Sequence, residues 1–242
     1  MSLIHIVKYD IKSALKSPWT YISFIFIIFL TSTFITSISQ TNKIVEGAQI
    51  LRLFSWTLSF LGILFLSKTV TRDFSQATIQ KYLNDKINRI KYFFAKLLSI
   101  TIIFLTFSII TLLLTVIFKN FINSSSIKIE DYKNFFIIFF LFFFIFGLFL
   151  YLMILFSKYT SLVFSLAIFI VLIIPMLLNF IPLIPNYGEK LMDAINYIPL
   201  LFLPMKLYQG VFTLNTSQVI LSIVLILILI IIDVFYTVNK NV

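Results

Sequence analysis

Phe135-Phe-Ile-Ile-Phe-Phe-Leu-Phe-Phe-Phe-Ile-Phe-Gly-Leu-Phe-Leu-Tyr-Leu-Met-Ile-Leu-Phe156 runs for 22 residues without a charge. A helix needs about 20 mostly apolar residues to cross the roughly 30 Å hydrocarbon core of a bilayer, and this run meets that need unaided. It is continuously apolar rather than alternating, which excludes a strand of a membrane barrel. Its crowded phenylalanines read as a lipid-facing or packing surface rather than the wall of a cargo site. Five further runs qualify, at about Thr20 to Ile38, Leu53 to Thr69, Leu97 to Phe118, Ser161 to Phe180 and Ser217 to Thr237. With 60% hydrophobic and 12% charged residues and a mean hydropathy of +1.07, the chain is far more apolar than a soluble core requires. The expected fold is an all-α polytopic membrane protein with six transmembrane helices in a single domain over residues 1–242.

Ahead of the first span, Leu3 to Ser17 projects as an amphipathic helix. Ile4, Val7, Ile11, Ala14 and Leu15 share one side, while His5, Lys8, Lys12 and Lys16 share another. Residues 1–18 therefore read as a helix lying in the membrane interface, its lysines on lipid phosphates. Ser17-Pro18-Trp19 turns the chain, and Trp19 suits the headgroup level. The N-terminus lacks a short apolar core followed by a small-residue cleavage site, so no cleaved signal peptide is expected.

The longest polar stretch, Arg72 to Lys96, lies between the second and third spans. Within it Ile79, Tyr82 and Leu83 form a small apolar face beside Gln76, Gln80, Lys81 and Asn84, suited to docking in the groove of a soluble partner. Arg89 to Lys96 reads as a basic collar of the third span. Both early spans carry hydroxyls, among them Thr31, Ser55 and Ser59. Small polar residues serve close helix packing and interhelical hydrogen bonds, and they also line translocation paths.

Pro175, Pro182, Pro185, Pro199 and Pro204 interrupt apolar sequence before the last span. Proline removes a bond from the helical ladder, so residues 183–216 are expected to hold short, broken, re-entrant helices on the outer side. A cytoplasmic N-terminus puts 12 of the 19 Lys and Arg residues inside, and six spans return the C-terminus to the same side. Asp233 falls about one turn from the end of the last span, near Lys240. Interfacial pairing with a lysine and a part in ion coupling are both open to it.

The net charge of +10 is accounted for by topology and anionic headgroups, without nucleic acid. The chain has no cysteine and one histidine, His5. It carries no phosphate-binding loop, no H-E-x-x-H and no G-x-S-x-G. It is read as a non-enzyme that holds no cofactor or metal and has no catalytic residues. Any work it does takes its energy from elsewhere.

An interfacial helix ending in Lys16-Ser-Pro-Trp19, a polar helix between spans two and three, and a proline-broken segment before span six together resemble the permease subunit of ABC exporters of the ABC-2 type. Arg72-Asp-Phe-Ser-Gln-Ala-Thr78 followed by Arg89-Ile-Lys-Tyr-Phe-Phe-Ala-Lys96 is similar to that family's acidic residue, then Gly-Thr, then a basic-aromatic run ending in Gly/Ala-Lys. Ala77 stands where glycine is usual, and no proline lies between Asp85 and Arg89. The resemblance covers the whole chain and implies a bacterial cell membrane protein. It implies a cytoplasmic coupling helix over 72–85, with Asp73, Phe74, Thr78, Ile79, Lys81, Tyr82 and Leu83 contacting a separate ATPase subunit that binds ATP and Mg. It further implies a second permease chain and, as in small permeases of this composition, a cargo of amphipathic or hydrophobic bacterial peptides. The competing expectation is a peptide-binding immunity or scaffold protein with no transport cycle.

Overall fold

The computed structural model of the protein describes residues 3–16, 18–41, 45–75, 85–122, 124–185 and 187–239. The described residues are overwhelmingly helical, in the order α1 (Leu3–Leu15), α2 (Pro18–Thr41), α3 (Gly47–Ser75), α4 (Lys86–Phe121), α5 (Ile129–Ser157), α6 (Thr160–Ile168), a π-helical turn (Phe169–Ile173), α7 (Ile174–Leu178), a 3-10 turn (Ile181–Leu183), α8 (Gly188–Ile195), α9 (Pro199–Gln209) and α10 (Thr216–Asn239). Among the described residues six stretches are long and apolar enough to cross a membrane: Thr20–Gln40, Gly47–Phe74, Lys86–Phe121, Ile129–Ser157, Thr160–Leu183 and Thr216–Asn239. The protein is a multi-pass, all-α membrane protein.

The phenylalanine-rich run forms the centre. Phe135, Phe139, Phe142, Phe143 and Phe146 of α5 are fully buried, while Phe136 and Phe140 face outward. α5 packs against α3, α4 and α10, so its aromatic stripe is a packing surface. The rings interlock: Phe139 and Phe143 lie 4.8 Å apart, Phe142 and Phe146 also 4.8 Å, and Phe107 of α4 meets Phe143 at 5.9 Å. In lipid, where the hydrophobic effect adds nothing to helix association, such contacts and close backbone approach hold the bundle. Gly62 of α3 supplies that approach, since a Cβ there would stand 2.2 Å from Cζ of Phe143.

Span five does not stop at Pro175. The π-helical turn Phe169–Ile173 precedes it and shifts the hydrogen-bond register, so the missing proline N–H falls at the start of α7 instead of breaking a ladder. Beyond it the chain breaks as expected into the 3-10 turn and the short α8 and α9, and α9 holds Pro204 inside it. At this end of the bundle the α2–α3 and α4–α5 connections also meet. Ser125 N donates to Val45 O at 2.9 Å, and Gly47 N donates to Ser125 Oγ at 3.3 Å.

α1 docks on α3 and α4 at the opposite end. Its buried face is Ile6, Val7, Asp10 and Ala14, while Ile4 and Leu15 are exposed. The apolar side drawn from sequence alone is thus rotated, because the helix has two non-aqueous neighbours: protein on one flank and surrounding apolar medium on another. Lys8, Lys12 and Lys16 are exposed, as an interfacial helix requires. Trp19 lies in α2, with its side chain outside the described set.

Gly62→Val is expected to destabilise the bundle by about 1–3 kcal/mol, the usual cost of overpacking a filled core. Thermal unfolding in detergent checks this; an unchanged midpoint would contradict the Gly62–Phe143 contact.

Candidate functional site

Four charged side chains lie buried together where α1 meets the spans: Asp10, Arg72, Asp73 and Lys96, exposed by 1, 4, 0 and 1%. Three helices supply them. α1 brings Tyr9 and Asp10, and the last turn of α3 brings Arg72 and Asp73. α4 presents Tyr92, Lys96 and Ser99 at helical spacing of four and three, so all three share one face.

Each carboxylate oxygen is matched. Asp10 Oδ1 lies 2.6 Å from Arg72 Nη1 and accepts from Lys96 Nζ at 3.0 Å. Its Oδ2 accepts from Lys96 at 3.1 Å and from Ser99 Oγ at 2.9 Å. Asp73 Oδ1 accepts from Arg72 Nε at 2.9 Å and from Arg72 Nη2. Its Oδ2 accepts from the Tyr92 hydroxyl at 2.9 Å and lies 2.8 Å from Lys96 Nζ. Lys96 also donates to the Thr69 carbonyl at 2.9 Å, and the Arg72 guanidinium sits 4.4 Å from the centre of the Tyr9 ring. Burial pushes the Asp10 carboxyl up from the ordinary carboxylate range, while Lys96 and Arg72 pull it down and Asp73 adds to the rise.

An isolated buried charge costs several kcal/mol even after relaxation. Two acids against two bases bring the formal charge to zero, and the hydrogen bonds occupy the remaining lone pairs. The network therefore clamps α1 to α3 and α4 by interactions that none of the three helices can satisfy alone. It extends to the last span through aromatic residues. The Tyr92 and Tyr151 rings lie 6.3 Å apart, and the Tyr151 hydroxyl shares a 2.9 Å hydrogen bond with Thr237 Oγ1 of α10. Arg89 of α4 donates to the Val238 carbonyl of α10 at 2.7 Å.

This geometry corrects several expectations from sequence. Asp73 is not a docking residue on a separate polar helix: α3 continues to Ser75, and Asp73 is held inside by Arg72, Lys96 and Tyr92. Phe74 is half-buried against the core. Lys96 belongs to the interior rather than to a solvated collar, since two carboxylates neutralise it there. Thr78, Ile79, Lys81, Tyr82 and Leu83 lie outside the described residues.

The hydroxyls expected to pack or to line a path are closed off. Thr31 Oγ1 bonds Thr57 Oγ1 at 3.2 Å, Ser55 Oγ donates to the Leu51 carbonyl at 2.6 Å, and Ser59 Oγ to the Trp56 carbonyl at 2.7 Å, all three residues buried. Thr31 thus joins α2 to α3, while Ser55 and Ser59 bond carbonyls of their own helix. Asp233 makes no lysine pair among the described residues and is fully buried on the inner side of α10.

Asp10 is the member that sequence reasoning missed. Its spacing of four from Ile6, three from Val7 and four from Ala14 put it on a face otherwise apolar. An acid on that face of a lysine-rich helix signals an internal cation.

A separate apolar groove of about 420 Å³ opens between α2, α3 and the π-helical turn of span five, lined by Phe26, Leu30, Trp56, Phe60, Leu64 and Val171. No family model matches the chain, and no curated protein matches it either.

Lys96→Met, which leaves Asp10 and Asp73 with Arg72 as the one base of the cluster, is expected to cost about 3–5 kcal/mol. Adding Asp10→Asn restores formal neutrality and should recover much of that loss. A double-mutant cycle on unfolding in detergent measures the coupling; additive losses would contradict a shared network.

Proposed function

We propose that the chain is the permease subunit of an ATP-driven exporter of the ABC-2 type, energised by a separate ATPase subunit that holds ATP and Mg. The observation that carries this reading is the clamp itself. It joins an amphipathic end helix to two spans a few residues before residues 76–84, the polar stretch suited to a soluble partner. A push on that stretch or on α1 acts on α3 and α4 together, and α4 carries it to α10 through Arg89 and Tyr92. Such a layout serves a protein whose spans are moved from one end by another protein.

In this reading the clamped end and both termini are cytoplasmic, and the membrane is a bacterial cell membrane. A second permease chain, identical or related, completes the pathway. The exposed lysines of α1 rest on anionic lipid headgroups. Amphipathic or hydrophobic peptides are the cargo class that fits best, because the groove between α2, α3 and span five offers an apolar wall for the apolar face of a helical peptide.

The test is affinity purification of the full chain from its native membrane and reconstitution of the recovered complex in vesicles. An ATPase subunit is expected to co-purify, and hydrolysis should rise when an amphipathic helical peptide is added. Asp10→Asn should keep the ATPase bound but lower the peptide stimulation at least about fivefold, the lower end of usual coupling energies. Tyr82→Ala with Leu83→Asp should release the ATPase. Peptide binding with no ATPase recovered would overturn the exporter reading in favour of an immunity or scaffold protein.

A further inference from the structure

The inner face of α10 is made by Gln218, Ser222, Ile226, Leu229, Asp233 and Thr237, at successive spacings of four, four, three, four and four. The outer face carries Ile220, Ile223, Val224, Leu227, Ile228, Ile231 and Phe235, all exposed. The polar groups of the inner face are accounted for, with one exception. Gln218 accepts from Asn215 N at 3.1 Å, Ser222 Oγ donates to the Gln218 carbonyl at 2.8 Å, and Thr237 is bonded to Tyr151. Asp233 is fully buried, and among the described residues neither carboxyl oxygen has a hydrogen-bond partner. Among them two other buried side-chain oxygens share that condition, Thr69 Oγ1 and Ser108 Oγ, but those are neutral hydroxyls.

The contrast with Asp10 and Asp73 is chemical. Those two carboxylates are met by two cations and several donors. Several ionisable groups on the described helices packed against α10 have other partners, and Lys240, seven positions beyond Asp233, lies outside the described residues. On α5, the Tyr151 hydroxyl bonds Thr237. On α4, Arg89 reaches the Val238 carbonyl, the Tyr92 hydroxyl goes to Asp73, and Lys96 goes to Asp10, Asp73 and the Thr69 carbonyl. On α9, Lys206 Nζ donates to the Thr213 carbonyl at 2.6 Å. An ionised carboxylate in an apolar interior without a counter-charge neutralises itself by taking up a proton. Its inward direction also removes it from lipid headgroups and from a second chain packed on the outer face.

We propose that Asp233 is a proton-binding site. Its carboxyl carries a proton in this conformation and releases it when the terminal half of α10 rearranges to give it water or a cation. The proton then moves from the carboxyl oxygen to solvent, leaving a carboxylate. One turn away, the Tyr151–Thr237 bond links the site to the ring of Tyr92 and so to the buried clamp. Proton binding at Asp233 and the position of α10 relative to α4 and α5 are thereby coupled, whichever cargo or energy source the protein uses.

Infrared difference spectroscopy of the full chain in lipid tests this on the unmodified protein. A protonated-carboxylic-acid carbonyl band is expected at neutral pH, fading in alkaline buffer and missing from Asp233→Asn. Absence of the band, or its persistence in the variant, overturns the proposal. Unfolding midpoints give an independent readout. If the folded protein holds the proton and the unfolded chain does not, stability falls as pH rises, and the wild-type midpoint should fall relative to Asp233→Asn by roughly 3–5 °C per pH unit. Parallel pH curves for the two proteins would show a carboxyl that never holds the proton and would equally overturn it.

Discussion

Four charges buried at the junction of α1, α3 and α4 set the constraint on which the rest of the architecture depends. A membrane protein can place charge inside only where opposite charges and donors meet it, and here the two acids and two bases come from three helices. None of those helices can leave without stranding a charge in an apolar setting, at a cost of about 3–5 kcal/mol. Position follows from that. An end helix held only by Ile6, Val7 and Ala14 could slide on the spans, whereas Asp10 fixes both its rotation and its register.

Around this fixed point most of the packing is apolar. α5 holds the centre with interlocked phenylalanine rings, and Gly62 lets Phe143 approach the backbone of α3. α2 stands at the periphery and shares the hydroxyl contact between Thr31 and Thr57 with α3, leaving a groove toward span five. The design thus joins a stiff, charge-locked end to a mid-membrane region whose packing can change without stranding any charge. Asp233 borders the stiff end with no counter-ion among the described residues, so in the proposal its protonation and the set of α10 belong together.

Much of this was legible from residue order alone. Six apolar runs gave six candidate spans, and the spacing of Lys8, Lys12 and Lys16 gave an exposed basic stripe on α1, as observed. Pro182, Pro185 and Pro199 fall at breaks as anticipated, but Pro175 and Pro204 lie within helical runs; the π-helical turn ahead of Pro175 is a local register change that composition cannot reveal. The site was harder to read. Charges near span ends normally meet water or headgroups, so Asp73 and Lys96 looked like solvated residues. What places them inside is a third residue, Asp10, more than 60 positions away in the chain, and a pairing across that distance leaves no periodic trace. Only the position of Asp10 on an apolar helix face hinted at it. The hydroxyls of Ser55 and Ser59 were ambiguous for another reason: packing and path lining use the same residue types, and both hydroxyls bond carbonyls of their own helix.

Hydrogen–deuterium exchange along Leu3–Leu15 in lipid nanodiscs tests most directly whether the buried charges hold the end helix in place. With Lys96→Met, the backbone amides of α1 should lose protection strongly while those of α5 keep theirs, since α5 is held by ring packing. Equal protection of α1 in the variant and the wild-type protein would contradict the account, and would mean that apolar contacts alone seat the helix.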